Sequence, residues 1–299
     1  MSEAAPRVWA AYLGVAVIWS TTPLAIQWSG REVGYLFGVT ARMVIGAVVC
    51  LILLHLLGLR LAWHRRAWQA YFSVALGVFG AMSLVYWAAQ RIPSGWISVL
   101  FGLTPLLTGL LAPRLLGEGP LSGWRLVGIL FGVAGLVAVF AGGLTLEAGS
   151  WKGLVAVLCA VSLHSLSSVL TKRVGYQAHG LVLTTGGLLV ALPAYFFVWW
   201  LTEARWPDWI PPRAGLSILY LGVVATAGGF SLFYLVLRHL SATRVAMLTL
   251  ITPVAALWLG WLLNGEPVGW RILLGTALIL FGLLVFEFGE RMPGTSPGT

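Results

Sequence analysis

Charge is what this sequence has least of. Only 9% of its 299 residues are Asp, Glu, Lys or Arg, against about 25% in an ordinary soluble domain. So few charges cannot cover a water-exposed surface, and no polar interruption is long enough to form a soluble domain. Acidic residues are the scarcest. There are nine, and Glu3, Glu32, Glu118, Glu147, Glu203, Asp208, Glu266, Glu287 and Glu290 all fall at the termini or at the ends of apolar runs. With no carboxylate in mid-run, proton coupling through a buried acid is disfavoured, as is an acidic site for a cationic drug. Cysteine is nearly absent too. Cys50 and Cys159 both sit inside apolar runs, which speaks against a disulfide framework or a cysteine metal site. No metal and no cofactor is expected. No HExxH, GxSxG or acidic pair occurs, so a membrane-embedded enzyme has no visible machinery.

What remains is apolar: 59% of the chain is hydrophobic. A spanning helix needs roughly 20 apolar residues. Ten segments meet that requirement, at about 8–28, 35–57, 68–90, 94–116, 122–141, 151–173, 180–201, 214–237, 242–264 and 268–288. The first is too long an apolar stretch for a cleavable signal and is expected to stay as a helix. The net charge of +9 does not point to nucleic acid, because the basic residues form no patch and flank the apolar segments. With the amino terminus inside, eleven Lys and Arg lie at inner ends and six at outer ends. That bias places both termini in the cytoplasm.

An internal repeat organises the ten segments. Shifted by 148 residues, 80–118 aligns without gaps on 228–266, matching Gly80 with Gly228, Ser83 with Ser231, Tyr86 with Tyr234, Thr104-Pro105 with Thr252-Pro253, and Gly117-Glu118 with Gly265-Glu266. Gly123-Trp124-Arg125 then matches Gly269-Trp270-Arg271. The predicted fold is an all-α integral membrane protein of ten transmembrane helices, divided into residues 1–145 and 146–299. Five helices per half is an odd number, so the second half enters from the opposite side. Inverted repeats of this kind supply two nearly equivalent conformations around a central site, which favours a transporter over an enzyme or a structural membrane protein; a channel or lipid scramblase is the further alternative.

The ordered pieces Ile18-Trp19-Ser20-Thr21-Thr22-Pro23, Ala41-Arg42-Met43, Thr104-Pro105 to Leu116-Gly117-Glu118 and glycine-rich Gly128 to Gly135 resemble the drug/metabolite transporter superfamily in its form with two EamA domains. Thr252-Pro253 to Asn264-Gly265-Glu266 and Gly275 to Gly282 repeat the pattern. The resemblance implies an inner-membrane exporter or exchanger of amino acids or similar metabolites. Length, helix count and aromatic content extend it to aromatic amino acid exporters of the YddG type. Sugar-phosphate and nucleotide-sugar exchangers and drug or lipid translocators belong to the same superfamily and stay open. The implied partners are a small-molecule substrate and the lipid bilayer, with the protein a monomer or weak homodimer.

Polar groups at membrane depth are costly and therefore candidates for function. Trp19, Ser20 and Thr22 precede Pro23, whose missing N–H frees backbone groups; such groups line cavities or mark simple kinks. Pro105 and Pro253, beside Thr104 and Thr252, interrupt segments 4 and 9 at equivalent places, as expected around a midplane site. Arg42 stands two turns inside segment 2, either as a structural clamp or as the partner of a substrate carboxylate or phosphate. His164 and Ser165 lie mid-way along segment 6, suited to an interhelical hydrogen bond or to substrate contact and proton handling. Tyr86 and Tyr234 are repeat equivalents. Most tryptophans suit interfacial belts, whereas Trp19, Trp87, Trp96 and Trp258 are placed to line a pore. The expected cavity thus draws on Trp19, Ser20, Thr22, Arg42, Tyr86, Trp96, Thr104, His164, Ser165, Tyr234, Thr252 and Trp258, with Pro23, Pro105 and Pro253 as helix breaks. Glu118 and Glu266 read first as caps for the helices that follow them, with a gate as the alternative.

Overall fold

A computed structural model describes residues 4–31, 33–92, 97, 100–119, 122–140, 150–202, 206–252, 254–255 and 269–288. The described residues form ten helical segments and no strand. They are α1 (Ala4–Arg31), α2 (Tyr35–Leu56), α3 (Arg65–Ala88), α4 (Thr104–Leu116), α5 (Gly123–Phe140), α6 (Trp151–Val174), α7 (Gly180–Thr202), α8 (Pro212–His239), α9 (Ala242–Thr252) and α10 (Trp270–Phe288). Six of them, α1, α2, α3, α6, α7 and α8, are long and apolar enough to cross a bilayer. Large apolar side chains face outward along them: Leu13, Val17, Leu216 and Trp200 are all more than 60% exposed. Water would not tolerate that surface; hydrocarbon does. The interior is filled instead by small residues and by valine and leucine, which lets the helices approach closely.

Local chemistry sets the helix ends. His64 opens α3, its Nδ1 accepting from the Ala67 N–H, and Ser241 opens α9, its hydroxyl accepting from the Arg244 N–H. Gly117 and Gly175 close α4 and α6 at φ of 68° and 63°, left-handed values at which a Cβ would be strained. Pro105 stands in the first turn of α4, just after a turn at Gly102-Leu103. It therefore marks a break between two helical pieces. Pro23 does not end α1, which runs on to Arg31.

The two halves are related by inversion, and the packing carries that symmetry. α3 packs on α6 and α7, as α8 packs on α1 and α2; α2 with α7, α4 with α9 and α5 with α10 pair across the axis. Glycines make the point at single-residue level. Gly128 lies against Gly282 and Gly135 against Gly275, and a shift of 147 residues converts one contact into the other. The third helix of each half also widens to an i→i+5 ladder, over Leu76–Ala81 in α3 and Leu221–Phe230 in α8. These turns occupy equivalent repeat positions and pack against helices of the other half. Such bulges re-aim side chains and leave carbonyls to be satisfied. At Val78 the Tyr195 hydroxyl does so, donating to the carbonyl at 2.5 Å.

Candidate functional site

Between the halves lies a cavity of about 100 Å³ measured to water centres. One water needs roughly 10–15 Å³ on that measure, so the space holds several waters or one small organic molecule. It runs along α1 from Trp19 past Thr22 and Pro23 to Ile26, faced by Arg42 of α2, Met82 and Val85 of α3, His164 of α6 and Phe230 of α8. Ile97, Phe101, Thr249 and Thr252 complete it. Both repeats contribute.

An aromatic cluster forms one end. The Trp19 indole stacks on Phe233 with centroids 5.1 Å apart and meets His164 and Phe230 edge-on at 5.9 and 6.2 Å. His164 in turn lies 6.0 Å from Phe101 and 5.6 Å from Phe233. Trp19 can sit this deep because Gly229 faces it: a Cβ there would come within 3.2 Å of the indole nitrogen. Beyond the cluster is a gap of about 10 Å³ lined by Thr104, Thr108, Ser168, Ala242 and Ala246. That is room for about one water, so the rings separate the cavity from the Glu118 end of the fold.

The Glu118 end is tied shut. Lys172 and Glu118 form an ion pair at 3.4 Å, the only one among the described residues. The Lys172 ammonium also donates to the Leu240 carbonyl, and Glu118 accepts from the Ala242 N–H at 3.2 Å. Glu118 therefore caps α9, on the other half of the molecule, and not the helix that follows it. The amino terminus of α5 is served by Ser122, which accepts from the Arg125 N–H. Glu266 lies outside the described residues.

Arg42 reaches the cavity from α2. It is 2% exposed, its Nε donates to the Thr226 hydroxyl at 2.8 Å, and its Cζ lies 6.0 Å from the Tyr86 ring centre.

The sequence-derived candidates divide into three groups. Trp19, Thr22, Arg42, His164, Thr252 and Pro23 line the cavity, and Thr104 lines the gap beneath it. Tyr86, Tyr234, Ser20 and Ser165 are buried behind it. Tyr86 accepts from the Ser29 hydroxyl at 3.3 Å, Tyr234 packs 5.2 Å from Phe233, and Ser20 donates back to the Ala16 carbonyl. That last bond is the ordinary local fate of a helix serine. Trp96, Trp258 and Pro253 fall outside the described residues. Trp87 stands at the end of α3 with Arg91 stacked 3.6 Å over its ring, away from the cavity. Phe101, Phe230, Phe233, Met82 and Thr226 were not foreseen. A phenylalanine in an apolar span carries no signal of its own; the one available cue was the Gly228-Gly229 pair just before Phe230.

Comparison with known proteins follows the same lines. The model of the EamA-like transporter family matches residues 8–141 and 151–288. The uncharacterized transporter YoaV of Bacillus subtilis is 25% identical over 95% of this chain and 99% of its own length. A Streptantibioticus cattleyicolor protein named as a probable terminal-alkyne amino-acid exporter is 28% identical over 97% of both chains. Protein PecM of Dickeya dadantii is 27% identical over 74% of this chain and 73% of its own. A solved crystal structure shares the fold, with a TM-score of 0.79 at 20% identity, covering 96% of this chain and 99% of the other. With the family model spanning nearly the whole chain, and transporters among its full-length relatives, this ten-helix membrane protein belongs to the EamA-like transporter family.

Proposed function

We propose that the chain carries small metabolites of the amino-acid class across the cytoplasmic membrane by alternating access to the central cavity. The supporting observation is the cavity itself. It lies between two inverted halves, is walled by aromatic and aliphatic side chains, and holds a few polar groups at fixed places. Sites of that composition orient a small ligand by few contacts and bury its apolar part. A full-length relative named as an amino-acid exporter supports the substrate class. The basic residues clustered at Arg60, Arg65 and Arg66 favour both termini on the cytoplasmic side. In that orientation the Glu118 end faces the cytoplasm, and the cavity is closed toward it. Export or exchange is the expected activity, in keeping with the relative named as an exporter.

The test is uptake into proteoliposomes across a panel of labelled amino acids. Saturable uptake of apolar or aromatic members above protein-free vesicles is expected. Movement of none of them would contradict the substrate class.

A further inference from the structure

Arg42 differs from every other described cation in the chain. The rest lie at helix ends and in loops, whereas Arg42 is among the largest fully buried side chains. Thr226 takes its Nε, but Nη1 is buried with no hydrogen-bond partner among the described residues. No described carboxylate compensates it. Glu118 is held by Lys172 at the far end, and Asp208 is exposed in the loop before α8. Holding a guanidinium in a low-dielectric interior costs several kcal/mol unless an anion sits beside it. Because Arg42 lines the cavity, that anion can be a ligand.

The same cavity holds a complement in α1. Pro23 lacks an N–H, so the Trp19 carbonyl has no ladder donor. The neighbouring hydroxyls do not replace it, since Thr21 and Thr22 both donate to the Ile18 carbonyl at 2.9 Å. Trp19 and Pro23 border the same cavity as Arg42. A carbonyl that loses its ladder donor at membrane depth calls for another. The remaining surface near it is apolar and largely aromatic.

We infer that the cavity reads the backbone of an apolar α-amino acid: Arg42 takes the carboxylate, the Trp19 carbonyl takes the ammonium, and the side chain lies among Trp19, Phe101 and Phe230. This rests on the cavity being the transport site. One guanidinium matches one carboxylate. A phosphate ester dianion would be left half compensated, because no second Lys or Arg lines the cavity among its described residues. Arg42 acts as a binding residue, and Thr226 positions it through Nε.

The test compares L-phenylalanine with phenylalanine amide, 2-phenylethylamine and 3-phenylpropionate as competitors of labelled phenylalanine uptake by the wild-type protein in proteoliposomes. The two ligands lacking a carboxylate are expected to compete at least about tenfold more weakly, consistent with losing a charged hydrogen bond. In Arg42→Gln the acid and the amide should compete equally, while Arg42→Lys restores part of the preference. Equal competition by the amide in the wild type, or an undiminished acid preference in Arg42→Gln, would overturn the assignment. The ligand series needs no variant, so a poorly folded Arg42→Gln does not weaken it. Uptake of no amino acid at all would instead remove the transport reading beneath it.

Discussion

A leucine at Gly128 is expected to unseat α5 from α10. The two helices meet backbone to backbone. A Cβ on Gly128 would lie 2.6 Å from the Gly282 carbonyl oxygen and 2.7 Å from the Phe286 nitrogen. Neither atom can move without shifting its helix. Overpacking a core costs about 1–3 kcal/mol even where side chains can yield, so the upper part of that range is the floor here. Thermal unfolding of the solubilised protein should fall by roughly 6–12 °C at about 3 kcal/mol. The same substitution at Gly123, where nothing lies within 4 Å, should change little. A Gly128→Leu protein that melts with the wild type would show that the pair is looser than described.

Replacing Trp19 by alanine should have the largest effect on transport. The indole does two things at once. It walls the cavity, and with His164 and Phe233 it separates the cavity from the gap that leads to Glu118. Truncation removes the apolar face on which a ligand would pack and joins the two spaces. Aromatic contact is worth about 0.5–1.5 kcal/mol beyond buried area, and the lost area adds at least as much. Apparent affinity for a transported apolar amino acid should therefore drop about ten- to a hundredfold. Trp19→Phe should retain most of it, because a ring can still stack on Phe233. The check is the half-saturation concentration for uptake in proteoliposomes. Wild-type affinity in Trp19→Ala would place the substrate elsewhere.

Much of the fold could be read from the residues. The apolar runs mark α1 to α3 and α6 to α8 within a few positions, because a bilayer demands about the same length of every span. The inverted repeat was legible for another reason. Pairs such as Gly80 with Gly228 and Tyr86 with Tyr234 mark helices that perform the same packing role in both halves. The pairing of α5 with α10 through Gly128 and Gly282 is that same repeat seen in space.

The site was legible where chemistry is conspicuous. Arg42, Trp19 and His164 stand out in an apolar chain because polar or bulky groups at depth need a reason. Their partners do not. Thr226 is 184 positions from Arg42, and threonine is an ordinary residue in a span. Glu118 shows the limit most clearly. Its place after α4 reads as a cap for the next helix, yet it caps α9, which reaches it only through the tertiary fold. The widened turns in α3 and α8 leave no composition signal, yet Phe230 ends the second and Met82 directly follows the first. Tyr86 and Tyr234 match in the repeat, yet a repeat match speaks to packing as much as to a site, and both are buried outside the cavity lining.

The most direct test of alternating access is thiol labelling at Thr22, which lines the cavity from α1. Thr22→Cys is placed in a protein with Cys50 and Cys159 replaced, and a membrane-impermeant thiol reagent is added to vesicles of each orientation. Modification is expected from either face, with a saturating apolar amino acid slowing both rates and no ion leak at any time. Modification from one face only, whether or not substrate is present, would contradict a cavity that opens to both sides.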